Sequence, residues 1–255
     1  MVLQPDISMH LIQTIEEREQ VLGKTGLDYL VIHPFSSDFS RLSAEDYVKT
    51  ILVDRLNTKK VVVGYDHRFG RNRTASLEEM HHYGAIYDFE VIEIDAKKIN
   101  VTAVSSTKIR KAIDKGDMAT TNQYLGHPFT LNGMVIHGDK RGRELSYPTA
   151  NIDLQNKHKI TPKQGVYLVT TEIQNKRVFG MMNIGTKPTF GVSGSSIEVH
   201  LFDWNTDLYG QHLCLDILEW VRDEKKFSNA GELQTQIQDD ESHCRLRIST
   251  WRARY

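Results

Sequence analysis

Three polar stretches between Gly133 and Gly210 carry side chains able to handle phosphate and protons. The first, G-M-V-I-H-G-D-K-R-G-R-E-L-S-Y-P-T-A-N-I, runs from Gly133 to Ile152. In it Gly138 and Gly142 let backbone N–H groups approach an anion closely. Lys140, Arg141 and Arg143 supply the charge to neutralise a polyphosphate. Pro148 fixes the backbone ahead of Thr149 and Asn151. The Thr149 hydroxyl and the Asn151 amide oxygen are hard ligands, suited to Mg²⁺ whose shell the oxygens of ATP complete. The same residues would equally build a solvated basic turn with ordinary turn capping. The second stretch, N-I-G-T-K-P-T-F-G, spans Asn183 to Gly191, and the third, E-V-H-L-F-D-W-N-T-D-L-Y-G, spans Glu198 to Gly210. Strand alternation puts Glu198, His200 and Phe202 on one face and Val199 and Leu201 on the other. A lone Glu198 facing inward can take a proton from a hydroxyl that attacks ATP; the alternative is a rim carboxylate paired with Lys or Arg. His200 reads as a structural histidine, and Asp203, Asp207 and Tyr209 as the makers of the following turn.

These side chains need a frame. The chain has 255 residues, enough for one or two domains. At 39% hydrophobic and 25% charged it has the composition of an ordinary soluble globular protein. Lys and Arg total 32 against 33 Asp and Glu, so no basic field argues for a nucleic-acid partner. Two cysteines, Cys214 and Cys244, make neither a disulfide framework nor a C-x-x-C zinc site, and a reducing cytoplasm is expected. No apolar run approaches the ~20 residues of a membrane helix. The opening M-V-L-Q-P-D-I-S does not read as a secretory signal.

The periodicities predict an amphipathic helix over 10–22, a buried strand over 27–35, a helix over 43–56 capped by Ser43, and a strand over 59–66. That strand is β-branched enough to be covered on both faces. A helix around 76–84, a strand over 89–94 and a helix from 105 to 113 follow. Such alternation argues a doubly wound parallel sheet. Beyond Gly126-His127-Pro128 come short alternating strands, at 129–137, 165–173, 177–184, 196–203 and 212–220, as in an antiparallel barrel or sandwich. A helix near 229–240 closes the chain, and 242–255 reads as an irregular, Arg-rich tail. The expected domains are 1–122 and 123–255.

With the motifs in order, residues 127–241 resemble the riboflavin kinase module of the bacterial bifunctional riboflavin kinase/FAD synthetases. The match covers G-x-V-x-H-G-D-K-R-G-R-x-L, P-T-A-N-I, G-V-Y (165–167), N-I-G-T-K-P-T-F, E-V-H-L-F-D, D-L-Y-G and R-D-E-K-K-F (222–227). The resemblance implies a six-stranded Greek-key barrel with a C-terminal helix. It implies that Thr149 and Asn151 bind Mg²⁺ and ATP phosphates and that Glu198 activates the ribityl 5′-hydroxyl. It further implies that Arg222, Glu224 and Phe227 lie on a segment that closes over the flavin. One departure is Ser146-Tyr147, where Gly-Phe is commoner in the family.

Residues 27–113 resemble the adenylyltransferase module of the same enzymes, through V-V-V-G-Y-D-H-R-F-G-R-N-R (61–73) and V-S-S-T-K-I-R (104–110). Ser105, Ser106 and Thr107 at a helix N-terminus make an anion site or a plain cap. Arg110 adds charge for a triphosphate, and Gly64 and Asp66 end a strand, where open sheets bind ligands. With Arg68 these are the positions the resemblance assigns to a remnant adenylyltransferase site. Family members open with a strand and a G-x-F-D-G-x-H-x-G-H loop; no H-x-G-H occurs among the eleven histidines here, and His67 replaces the usual Phe. A sheet without that opening unit is expected to expose apolar edges. The implied function is a riboflavin kinase taking riboflavin, ATP and Mg²⁺ and releasing FMN, with FAD synthesis in doubt. A fully bifunctional enzyme and a non-catalytic flavin-binding remnant are the alternatives.

Overall fold

The computed structural model describes residues 10–95, 98–99, 102–138, 147–189 and 192–252. It divides into two units, one built on Asp28–Val104, the other on Met9–Leu27 together with Ser105–Tyr255. The opening helix, α1 (Ile15–Gly23), belongs to the second unit and starts on a capping box. Glu17 N donates to Thr14 Oγ1 at 3.3 Å, while Thr14 N donates to the Glu17 carboxylate at 3.0 Å.

In the first unit, serines start the helices. Ser36 caps α2 (Ser37–Ser40), and Ser43 caps α3 (Ala44–Tyr47), which continues as a π-helical stretch over Val48–Val53. Ser76 caps α4 (Leu77–Tyr87). Strands β1 (Lys60–Gly64) and β2 (Glu90–Ile94) pair in parallel, Val61 opposite Val91. Two further short strands, β3 (Lys98–Ile99) and β4 (Thr102–Ala103), pair antiparallel. Val48, Phe69, Met80 and Phe89 form the unit's core.

Two expectations fail here. Residues 27–35 form no strand, and Tyr29 and Val31 stand 89% and 66% exposed. Extended backbone becomes a strand only when a neighbour takes its N–H and C=O groups, and among the described residues no strand pairs with this run. The β1 strand is likewise covered on one face only: Val63 is buried, while Val62 is 53% exposed.

In the second unit, α5 (Ser106–Asp114) and α6 (Met118–Leu125) lead into the barrel. Asn122 of α6 ties the two together by donating to Ile217 O at 2.9 Å and accepting from Phe129 N at 2.8 Å. The barrel strands are β5 (Phe129–Ile136), β6 (Ala150–Asp153), β7 (Gly165–Ile173), β8 (Lys176–Thr189), β9 (Val192–Leu201) and β10 (His212–Arg222). They close in the order β10-β5-β6-β9-β8-β7, every pair antiparallel. The meander β7-β8-β9 returning beside β6 is a Greek key. Periodicity found five of the six; β6 is too short to show a period.

Registers define the two faces. Tyr167, Met182 and Val199 share one row and are fully buried inside the barrel. The neighbouring row, Asn151, Glu198, Asn183, Val166 and Arg222, faces the other way. That outer side is covered by α7 (Ala230–Arg252), whose Cys244 and Ile248 pack with Val166, Leu168, Met181, Phe202 and Leu218. The expected irregular tail is therefore helix as far as Arg252. Ile237, Cys244, Ile248 and Trp251 recur at helical spacing, and the arginines between them occupy the open face. Arg245 reaches Asp203, and Arg247 reaches Glu219.

Lys159 and Glu17 join α1 to the barrel, 2.5 Å apart and almost wholly buried. Main-chain bonds at Leu11 N to His158 O (2.6 Å) and Ile160 N to Leu11 O (3.0 Å) secure the same contact.

Candidate active site

Glu198, Asn183, Val166 and Arg222 of the outer row line, with α7, a cavity of about 430 Å³, and Asn151 is buried beside it in the strand register. Strand β9 sends Glu198 and His200 into it, β8 sends Asn183, and β10 with the following segment sends Arg222, Glu224 and Phe227. Tyr147 and Thr149 close one side, and Leu233, Ile237 and Asp240 of α7 another. Glu198 thus faces out of the barrel, toward the helix, and not into the barrel core as an inward-facing carboxylate would. The inner positions on β9 are taken by Ile197 and Val199.

The Thr149 hydroxyl donates to Glu198 Oε2 at 3.3 Å. Asn151 lies opposite Glu198 across the β6–β9 pair, and Asn183 opposite it across β8–β9. The carboxylate therefore sits between two amides and beside a hydroxyl. These are hard oxygen donors, the set a small divalent cation takes. Gly138 lies against Asn151: a Cβ there would come within 2.0 Å of Nδ2, so only glycine leaves room for the amide. Gly185 does the same for Glu224, whose Oε1 would lie 2.5 Å from an added Cβ. Lys140, Arg141, Gly142 and Arg143 lie outside the described residues.

Arg222 is committed within this wall. Its Nε donates to Asp240 Oδ1 at 2.8 Å and its Nη2 to Oδ2 at 2.6 Å, while Gln236 of α7 donates to Oδ1 at 3.0 Å. The Phe227 ring lies 5.9 Å from the guanidinium. A fork-on-fork pair of this kind fixes β10 to α7 and leaves a flat face beside Phe227, Met181 and Val166. The lining combines apolar Phe227, Met181 and Val166 with the Glu198 carboxylate, a surface for a planar aromatic carrying a polar tail.

Thr149 also borders a second cavity of about 220 Å³, with Pro148, Ala150, Trp204, Asp207, Leu208 and Tyr209. Asp207 Oδ1 accepts from Tyr209 N at 2.9 Å, building the turn, and the His137 ring lies 3.9 Å from that of Tyr209. One hydroxyl thus stands where the two cavities meet.

The adenylyltransferase-type residues fall in both units, and each is placed within its own. Gly64 ends β1, its carbonyl accepting from His67 N at 3.0 Å, and Asp66 follows in the turn. Arg68 borders a cavity of about 660 Å³ with Arg41, Arg71, Arg73, Phe39 and Tyr47. In the second unit Ser105 is the cap of α5, accepting from Lys108 N at 3.4 Å, with Ser106 and Thr107 in its first turn. Arg110 Nε donates to His10 O at 3.0 Å.

Reading residues alone missed Asn183, Tyr147 and Asp240 and set His200 aside as structural. For Asn183 a signal was available, a polar residue between Met182 and Ile184 in the apolar run Val178–Ile184 of β8. For Asp240 there was none, since its partner lies 18 residues away.

A riboflavin kinase family model matches residues 125–248 and an FAD synthetase model residues 1–108. The bifunctional riboflavin kinase/FMN adenylyltransferase of Buchnera aphidicola subsp. Schizaphis graminum is 37% identical over 233 residues, 90% of this chain and 74% of that one. The protein of the same name from Escherichia coli K12 is 34% identical over 232 residues, 91% of this chain and 74% of that one. A crystal structure described as a macrolide-efflux protein from Streptococcus pneumoniae superposes with a TM-score of 0.86 at 34% identity, covering 96% of this chain and 79% of that one. Among the described residues here, no helix is long and apolar enough to cross a membrane. On this sequence likeness, spanning both units, the chain belongs to the bifunctional riboflavin kinase/FMN adenylyltransferase family.

Proposed function

We propose that the barrel unit is a riboflavin kinase, which transfers the γ-phosphoryl group of ATP to the 5′-hydroxyl of riboflavin. The observation that carries this reading is the meeting of Thr149 and Glu198, 3.3 Å apart, at the junction of two cavities. The isoalloxazine fits the apolar lining of the larger cavity, between Phe227 and the Met181–Val166 wall. Its ribityl chain then points at Glu198. The nucleotide takes the smaller cavity beside Tyr209, with its phosphates at Thr149.

In the transfer, Glu198 accepts the proton of the 5′-hydroxyl as the ribityl oxygen bonds to the γ-phosphorus. The bond from that phosphorus to the β–γ bridging oxygen breaks, and ADP leaves with the electron pair. Thr149 and Asn151 would hold Mg²⁺ together with the ATP oxygens. When bound, the ion neutralises charge on the phosphates. The chain's own contribution is mostly placement: a hydroxyl nucleophile, a base and a phosphate held in line remove the entropy of a three-body encounter.

Incubation of the 255-residue chain with riboflavin, ATP and Mg²⁺, resolved for FMN and FAD, tests the reading. FMN is the expected product. For this 255-residue polypeptide, which contains no H-x-G-H, FMN without FAD is the fuller expectation; FAD formation would overturn that part and establish the bifunctional reading. Binding of riboflavin without turnover would overturn the kinase and leave a flavin-binding protein.

A further inference from the structure

His200 lines the same cavity as Glu198 and lies two residues along β9 on the same face. Its Nδ1 is 2.9 Å from the carbonyl oxygen of Pro148. A carbonyl only accepts, so Nδ1 carries the hydrogen. The ring is held edge-on by Tyr147, centroids 5.1 Å apart at 71°, and by Phe202, 5.9 Å apart at 68°. Tyr147 in turn donates its hydroxyl hydrogen to Glu241 of α7 at 3.0 Å. The Tyr147-Pro148 step is therefore gripped from β9 and from α7 at once.

The grip reaches Thr149 through covalent geometry. Pro148 has no N–H, so its carbonyl is its one backbone hydrogen-bonding group. The peptide joining it to Thr149 is planar, so a bond that fixes the carbonyl oxygen also fixes Thr149 N and Cα. On the far side Ala150 is held by its pairing with Val199. Thr149 is thus clamped at both ends, and its hydroxyl is left at Glu198.

Building on the kinase reading, we infer that His200 is a positioning residue for phosphoryl transfer: through the Pro148 carbonyl it sets the Thr149 hydroxyl where ATP phosphates and Glu198 meet. One strand then carries both the base and the clamp for the phosphate-side hydroxyl. The His200 ring also lines the larger cavity, opposite Met181, so the part of its role that acts on the nucleotide side is the Nδ1 donor alone.

The test is steady-state kinetics of the full chain, with ATP and riboflavin varied separately. His200→Phe keeps a ring between Tyr147 and Phe202 but removes the donor. Its kcat/KM for ATP is expected to fall by roughly 10–100-fold, the usual scale for losing a group that orients a ligand-bearing residue. In His200→Asn the amide nitrogen takes the place of Nδ1 and donates to the same carbonyl. It is expected to recover most of the loss on ATP. Should His200→Phe fail to fold, His200→Gln replaces it, since its amide is displaced by one methylene; the same loss on ATP is expected. No loss on ATP, or failure of His200→Asn to recover ATP use, would each overturn the role of His200. Those outcomes are separate from a failure of the kinase reading, which would show as no FMN from the unaltered chain.

Discussion

Replacing Glu17 by Gln tests whether residues 10–27 belong energetically to the barrel unit. Lys159 and Glu17 are 2.5 Å apart with side chains 2% and 3% exposed, and Lys159 Nζ also donates to Ile12 O at 2.8 Å beside the Phe129 ring. Opposite charges at that separation attract by about 7 kcal/mol at an effective dielectric near 20. Removing each ion from water costs several kcal/mol, and Glu17 Oε1 finds no hydrogen-bond partner among the described residues. The pair as a whole therefore adds little. Removing one partner is different, because the other charge stays buried: about 3–5 kcal/mol is the expected loss. For a domain of this size that lowers Tm by roughly 6–20 °C, at about 2–4 °C per kcal/mol. Thermal melts followed by near-ultraviolet circular dichroism read it directly. A Glu17→Met/Lys159→Met double variant, with both charges gone, should recover most of the loss. The pH dependence has a definite sign. Burial pulls the Lys159 ammonium below its ordinary pKa, and Glu17 opposes that pull. In Glu17→Gln the pull is unopposed, so folding releases the proton below the unfolded value of about 10.4. The deficit is then full below the depressed folded pKa and narrows as pH rises from there toward the unfolded value. A Glu17→Gln chain melting within about 2 °C of wild type, or a double variant as unstable as the single, would refute the reasoning.

Glu198→Gln should preserve the fold and lower kcat by ~10²-fold or more, the scale of a lost general base; unchanged FMN production by a folded variant sinks that assignment. Thr149→Val is near-isosteric and is expected to raise the ATP KM and the Mg²⁺ requirement, with riboflavin binding less affected; titrations of ATP and Mg²⁺ that match wild type would leave Thr149 as a turn residue only. Gly185→Ala brings a methyl within 2.5 Å of Glu224 Oε1, and the displaced carboxylate should raise the riboflavin KM by roughly tenfold, about 1.4 kcal/mol; an unchanged riboflavin KM would place Glu224 outside the flavin contact. Ile248→Ala removes a buried side chain under α7 and should cost about 2–5 kcal/mol, read by denaturant unfolding; a negligible loss would mean that the helix end is not packed.

How far each feature was legible depended on how local its cause is. Capping serines, Ser43 and Ser105, announce their helices because the bond closes within three residues. The alternation of Glu198 and Val199 announces two faces because the period is intrinsic to a strand. What it does not announce is which face is inside. Only the closure of β10-β5-β6-β9-β8-β7 and the arrival of α7 decide that Val199 enters the barrel and Glu198 meets the helix. The same limit explains 27–35. Its apolar, β-branched composition is real, but a strand is a property of a pair, and the partner is not in the local sequence.

The proposed site residues divide along the same line. Thr149, Asn151 and Glu198 could be singled out in the sequence because the chemistry proposed for them is carried by their own atoms. His200 and Tyr147 were not, because what they do lies in the groups they hold. His200 acts on a carbonyl 52 residues away and Tyr147 on a carboxylate 94 residues away. In a barrel such separations are routine, since neighbouring strands come from distant parts of the chain. A histidine two positions from a carboxylate on one strand is nevertheless a pattern with content. The two share a face by the period of the strand, so whatever the carboxylate confronts, the histidine can support. Asn183, opposite Glu198 on β8, obeys the same rule across strands. Once one reacting group is placed on a sheet, the residues at i±2 and in the facing register are therefore the ones to examine for groups that hold its partners in place.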